Sequence, residues 1–282
     1  MKSRIILRSE INLSSTHLKM ISSGWGQNVV DNTITEKITY LSDGLKINGY
    51  LAYPKNSVGK YPCIVWCRGG YGNNGAIDEF NARGIFGQIA SRGYVVFASQ
   101  YRGNAGSEGT DGFGGNDVND VLSLIPLADE VECADKTIWG IEGWSRGGMM
   151  TYLALTKTNI FKAALVSGGI SNLHCNADKK EFSEILSKIY SAAPPSEISS
   201  ECYARSILNF PEKICPTTPL LLLHGTADNR VPYLDSQNLS EKLNGLNREH
   251  KLVLFEGGDH FLKSHRKEVD KLRKEWFEKY LK

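Results

Sequence analysis

Six short runs of almost unbroken apolar residues, at 62–67, 94–98, 137–141, 163–166, 220–223 and 252–255, constrain most strongly how this chain folds. They do not alternate with polar residues as a half-buried strand does, and they suit parallel strands covered on both faces. Between them, 80–90, 117–128, 147–155 and 236–246 carry apolar residues three and four apart, the spacing of helices with one buried face. Strand and helix therefore alternate, which predicts an α/β fold with a mostly parallel, doubly wound sheet. Ahead of these runs, Ile38, Tyr40, Leu45, Ile47, Leu51 and Tyr53 alternate with polar neighbours around Ser42-Asp43-Gly44. Asp-Gly supplies the positive φ angles of a tight turn, so an antiparallel N-terminal hairpin is expected.

Residues 1–35 show no clear period and read as a loosely structured lead-in with room for a short helix; 36–282 read as one domain. Within it, 171–211 breaks the alternation with a helical stripe of Phe182, Ile185, Leu186 and Ile189, then Ala192-Ala193-Pro194-Pro195. A small helical lid over the sheet is expected there. Residues 267–281 place Val269, Leu272, Trp276 and Tyr280 on one stripe, and their charges read as a solvated helix face.

A chain of 282 residues buries a sizeable core without crosslinks. Its 33 Lys and Arg against 31 Asp and Glu lack the basic excess that binding to a phosphate backbone requires, so no nucleic-acid partner is expected. No apolar run approaches the ~20 residues of a membrane helix, and Arg8, Ser9 and Glu10 interrupt the start before a signal-peptide core forms. A cytoplasmic protein without a membrane partner is expected. Cys63, Cys67, Cys133, Cys175, Cys202 and Cys215 show no CxxC spacing and are expected as reduced thiols.

Gly143-Trp144-Ser145-Arg146-Gly147 lies directly between an apolar run and a helical pattern. This is GxSxG in the strand-turn-helix setting of a nucleophile elbow, which makes Ser145 the candidate nucleophile. The turn is tight enough to strain the serine backbone and to demand small residues two places before and after it. A serine hydroxyl needs a base, and the base needs an orienting carboxylate. In a doubly wound hydrolase the three follow in the order serine, acid, histidine, on loops at the carboxyl ends of strands.

Asp228 follows the 220–223 run and His260 follows the 252–255 run, so they are the candidate acid and base. Asp259 remains an alternative acid, although its side chain points away from that of its neighbour His260, and His265 remains an alternative base. His224 reads as a strand-end residue bonded to backbone, while His17 and His174 come too early in the chain. A zinc set of His224, Asp228 and His260 lacks HExxH or CxxC spacing, and no metal or cofactor is expected.

Two backbone N–H groups should face the developing oxyanion, and those of Arg146 and Gly70 are the candidates. Gly70 lies in Arg68-Gly69-Gly70-Tyr71-Gly72, where glycine permits close approach to a substrate. Arg68, Tyr71 and Trp144 are candidate pocket residues. The glycine-rich segment 101–109 lacks the GK[ST] ending of a phosphate-binding loop and is expected to pack beneath the site.

Taken together, these segments resemble the catalytic domain of the prolyl oligopeptidase family of serine peptidases, which includes acylaminoacyl and dipeptidyl peptidases. The matching text is ITYLSDGLKINGYLAYP at 38–54, RGGYG at 68–72, YRGNAGSEG at 101–109, GWSRGG at 143–148, PLLLLHGTADNRVP at 219–232 and GGDHF at 257–261. The resemblance implies an α/β-hydrolase fold, a Ser145, Asp228, His260 triad and acyl transfer to water from a small peptide or ester substrate. Arg68-Gly69-Gly70 stands where the acylaminoacyl group has His-Gly-Gly, which would bring the charge of Arg68 near the pocket. A chain of 282 residues has no room for the substrate-filtering β-propeller of larger members, so a carboxylesterase is the alternative. A noncatalytic α/β-hydrolase binding module and an acyltransferase are the further readings. The sequence sets no oligomeric state.

Overall fold

A computed structural model describes residues 3–56, 58–177, 179–190 and 194–282. Ala192 and Ala193 of the expected lid, and the side chain of Cys175, lie outside this description. Among the described residues nine strands form one sheet: β1 (Ile5–Glu10), β2 (Thr33–Ser42), β3 (Leu45–Pro54), β4 (Tyr61–Cys67), β5 (Val95–Ser99), β6 (Ala134–Trp144), β7 (Phe161–Ser167), β8 (Leu220–Gly225) and β9 (His250–Phe255). Their spatial order is β1-β2-β3-β5-β4-β6-β7-β8-β9. The pairs β1 with β2, β2 with β3 and β3 with β5 are antiparallel. Every later pair is parallel. The hairpin between β2 and β3 turns on Asp43 at φ 50° and Gly44 at φ 81°, the double positive φ its sequence predicts.

The parallel strands are apolar on both faces because helices cover both. Val65, Phe97, Ile141, Val166 and Leu222 pack with Met149 and Tyr152 of the helix Arg146–Leu155. Their strand neighbours Ile64, Val96, Leu165 and Leu221 pack with Trp276, Phe277 and Leu281 of the C-terminal helix Arg266–Leu281. Fully burying one such side chain contributes about 1.5–3 kcal/mol, so the two layers clamp the sheet whose strand ends carry the candidate site residues.

The lead-in is more ordered than its sequence suggests. Residues 5–32 contribute β1 and the helices Ser15–Trp25 and Gln27–Asn32. Ser14 caps the first helix by accepting the N–H of His17, and Ile21 and Val29 are buried. Arg83 ties the segment to the domain by donating to the carbonyls of Val30 and Thr33. Two expected helices are also interrupted. The 80–90 stretch is split by a wide π turn at Ala82–Phe86, and 117–128 becomes a helix at Val118–Leu122 followed by a 3-10 turn at Ile125–Glu130. Pro126 opens that turn, where a missing N–H is tolerated.

Between β7 and β8 lie the helices Leu173–Asn176, Lys180–Ile189 and Pro195–Ala204. The entry to this insertion is held by the N–H groups of Ser171 and Asn172, which donate to the Asp235 carboxylate at 3.0 and 3.1 Å. Near its exit Arg205 donates to the carbonyls of Phe113 and Gly112 at 3.0 and 3.2 Å. Among the described residues no helix is long and apolar enough to cross a membrane.

Candidate active site

Strand β6 ends at Trp144 and a helix begins at Arg146, so Ser145 is the whole turn. Its backbone sits at φ 59°, ψ −122°, a conformation that costs a residue with a side chain on the order of 1–3 kcal/mol. The surroundings over-determine it. Ser145 N–H donates to the Ser167 carbonyl, and the Ser145 carbonyl accepts from Gly148 N–H, both at 2.9 Å. A Cβ at Gly143 would lie 2.1 Å from the Gly147 carbonyl oxygen, and one at Gly147 would lie 2.0 Å from that of Cys67. The two flanking glycines are therefore a steric requirement, and the hydroxyl is raised at the C-terminal edge of the sheet, where α/β folds place their ligands.

His260 Nε2 lies 3.0 Å from Ser145 Oγ, and His260 Nδ1 lies 2.6 Å from Asp228 Oδ2. The other carboxylate oxygen accepts the N–H groups of Arg230 and Val231 at 2.9 and 3.0 Å. Burial alone would push the Asp228 carboxyl upward, but hydrogen bonds from His224 and His260 outweigh it and hold the group well below the usual carboxylate range. Asp228 thus stays ionised and fixes the Nδ1–H tautomer of His260, leaving the Nε2 lone pair toward the serine hydroxyl.

His224 belongs to the same network. It is fully buried, with Nε2 3.0 Å from the Val231 carbonyl and 3.3 Å from Asp228 Oδ2, and Nδ1 2.7 Å from Ser236 Oγ. Two acceptors facing Nε2 assign its proton there, so the histidine expected only to bond backbone also supports the acid. The alternatives make other contacts. An Asp259 oxygen accepts Lys263 N–H, and the His265 ring lies 5.1 Å from that of Phe255.

On the opposite side, Arg146 N–H is in the first helical turn and has no carbonyl within its helix to accept it. Gly70, at φ 76°, has its Cα so close to Asn74 that an added Cβ would lie 2.0 Å from that residue's carbonyl oxygen. The Arg146 side chain joins the two candidates. Its guanidinium donates to the Gly70 carbonyl at 3.0 Å, to both oxygens of Asp111 at 2.8 and 2.5 Å, and to Asp117 at 2.5 Å. It also lies 4.8 Å from the ring centroid of Tyr101 and 4.9 Å from that of Phe113.

Arg68 does not line a pocket. It is fully buried, and its guanidinium donates to the carbonyls of Gln100, Gly69 and Gly72 at 3.1, 3.0 and 3.0 Å. Burial, reinforced by the like charge of Arg146, lowers its pKa to about 10. The reason is topological: the loop folds back over its own arginine, so the side chain satisfies carbonyls that would otherwise lack donors. Arg68 and Arg146 face Asp111 and Asp117, a buried quartet of balanced charge. The 101–109 segment supports it from below, with the Tyr101 hydroxyl donating to the Arg68 carbonyl at 3.1 Å.

Of the other pocket candidates, Tyr71 is partly exposed and meets Phe113 edge-on at 6.0 Å. Phe113 in turn lies 6.4 Å from Phe182 of the insertion. Trp144 is partly buried against the Gly69 backbone, 5.1 Å from the His260 ring, and its Nε1–H donates to the His260 carbonyl at 3.0 Å. Sequence reasoning missed Asp111 and Asp117. Their one signal is two acids in the glycine-dense text GTDGFGGND at 109–117, which has no helical or strand period.

Comparison with known proteins establishes the class first. An esterase of Pyrococcus furiosus superposes over 100% of both chains with a TM-score of 0.68 at 15% identity, a likeness of fold alone. The architecture is that of the α/β-hydrolases. Within this class the chain belongs to the prolyl oligopeptidase family, whose profile matches residues 83–282. It is thereby a hydrolase of the serine type. YtmA of Bacillus subtilis (strain 168), described as an uncharacterized peptidase, is 32% identical over 212 residues, covering 75% of this chain and 80% of that protein. The acylaminoacyl peptidase of Pyrococcus horikoshii is 27% identical with a TM-score of 0.75, covering 89% of this chain and 42% of its own. The chain thus spans less than half of that solved peptidase.

Proposed function

We propose that this protein hydrolyses small acyl substrates, foremost short peptides and related amides, through an acyl-enzyme formed on Ser145. Ser145 Oγ attacks the carbonyl carbon while His260 Nε2 takes its proton, and Asp228 stabilises the imidazolium that results. The tetrahedral oxyanion accepts hydrogen bonds from the N–H groups of Arg146 and Gly70, each worth about 2.7–4 kcal/mol at the transition state. His260 then protonates the departing amine or alcohol, and a water repeats the sequence in reverse to free the acid and regenerate Ser145. Both backbone donors rest on one rigid unit, because the Arg146 guanidinium pins the Gly70 carbonyl.

The observation that carries this reading is the continuous path from Ser145 through His260 to Asp228, at 3.0 and 2.6 Å, on a strained serine. Membership of a peptidase family favours amide substrates. A carboxylesterase is the second reading, supported by the whole-chain likeness in fold to the Pyrococcus furiosus esterase. Comparing kcat/KM for a series of p-nitrophenyl esters against aminoacyl and dipeptidyl nitroanilides separates the two. Turnover of nitroanilides within reach of the esters supports the peptidase, and turnover of esters alone supports the esterase. Activity that persists in Ser145→Ala removes both.

A further inference from the structure

Trp144 ties together three of the loops that meet at Ser145. It is the residue before the nucleophile, so its backbone belongs to the elbow. The six-membered edge of its indole lies against the loop after β4, where a Cβ added to Gly69 would stand 2.9 Å from Cε3 and 3.1 Å from Cζ3. The Nε1–H edge faces the loop after β9 and donates to the main-chain carbonyl of His260 at 3.0 Å. The indole and imidazole centroids are 5.1 Å apart. A buried or half-buried indole usually finds a partner for its N–H, and here that partner is the backbone of the candidate base itself.

His260 depends on such a tie. Asp228 fixes its ring at Nδ1, but its backbone runs through a loop bracketed by Gly257 at φ 66° and Leu262 at φ 49°. A left-handed leucine is strained and persists only where contacts hold the chain. Ala227 N–H donates to the Gly258 carbonyl and Leu262 N–H to the Asp259 carbonyl, both at 3.0 Å, which secures the loop around His260. The peptide that follows His260 is secured by the indole. Proton transfer tolerates little displacement, because base and hydroxyl must stay within about 2.6–3.2 Å. His260 Nε2 stands 3.0 Å from Ser145 Oγ, inside that window.

We propose that Trp144 is a positioning residue: its indole, braced against Gly69, fixes the peptide after His260 and so keeps Nε2 on the serine hydroxyl. The inference rests on the proposed function and gives Trp144 a role in rate, where the sequence suggested one in binding. No bond forms or breaks at Trp144, which acts through His260. The same brace sets the loop that carries Gly70, so one side chain aligns the base with a candidate oxyanion donor.

The test replaces the indole of Trp144 by benzothiophene, through an amino-acid analogue that keeps the shape and puts sulfur in place of the N–H. With p-nitrophenyl acetate, kcat should fall about tenfold, the factor that one ordinary hydrogen bond corresponds to, and KM should stay unchanged. Trp144→Phe, which also loses the brace, should fall further. Fluorophosphonate labelling of Ser145 should slow in step. The far-downfield proton resonance of His260 Nδ1–H, assigned by its loss in Asp228→Asn, should broaden in the analogue. Unchanged kcat overturns the proposal, and so does a raised KM with kcat kept, which makes Trp144 a binding residue. Easier unfolding in urea with kcat and the resonance intact overturns it as well, since Trp144 then serves stability alone. A wild type that neither turns over nor labels sinks the proposed function instead. The resonance still reads the tie in that case, and one that the analogue leaves sharp overturns the inference.

Discussion

On one side of Ser145 the guanidiniums of Arg68 and Arg146 are buried and bonded to Asp111, Asp117 and the carbonyls of residues 69, 70, 72 and 100. On the other, Arg230 and Lys263 lie exposed over the ring of Phe261. The same charge does opposite work in the two places. A buried cation has lost its water and is held by partners it cannot give up, so it shapes the loop around Gly70 and has nothing left for a ligand. An exposed cation keeps most of its water and contributes little to the fold. The first wall is built for a fixed geometry, while the second stays hydrated at the surface.

Under the proposed function the Ser145 centre lies between the two walls, and its removal has the largest effect. Ser145→Ala or His260→Ala should lower kcat by about 10³- to 10⁶-fold in steady-state assays, while His265→Ala should change it little. The next largest effect falls on the buried wall. Arg146→Met strands the Asp111 and Asp117 carboxylates, and urea unfolding should show a loss of about 3–5 kcal/mol together with a fall in kcat. A variant that keeps wild-type stability would show that the buried charges do not hold this wall.

Asp228 sharpens the contrast through pH. Its carboxyl lies below its unfolded value, so the ionised form stabilises the fold, fully so above about pH 5. That contribution fades as acid protonates the group. The gap between the urea midpoints of wild type and Asp228→Asn should therefore narrow from pH 5 toward pH 2, and a constant gap would contradict the assignment. The smallest effect belongs to the exposed wall: Lys263→Gln should shift stability by less than about 0.5 kcal/mol in the same unfolding experiment. A large loss there would mean that Lys263 is part of the scaffold and would dissolve the distinction between the walls.

What the sequence revealed follows from the range of the interactions. The parallel strands were readable because two-sided burial leaves continuous apolar text, and the elbow because Gly143, Ser145 and Gly147 act within five residues. The positions of Asp228 and His260 at strand ends were readable because each follows a strand that announces itself. Strand β1 was not, since only Ile5 of its six residues is buried and an edge strand so exposed leaves no alternation. The burial of Arg68 was hidden for another reason. Its partners are backbone carbonyls at residues 69, 72 and 100, and backbone carries no sequence signal. The helical stripe from Phe182 to Ile189 was visible, but its packing toward Phe113 depends on contacts across the fold.

The central claim is that one serine, strained and paired with His260, carries the chemistry. Incubation with a fluorophosphonate probe followed by peptide mapping tests it most directly. A single stoichiometric adduct on Ser145, lost in Ser145→Ala and slowed by orders of magnitude in His260→Ala, is the predicted result. An adduct elsewhere, or equal labelling of the wild type and Ser145→Ala, would contradict it.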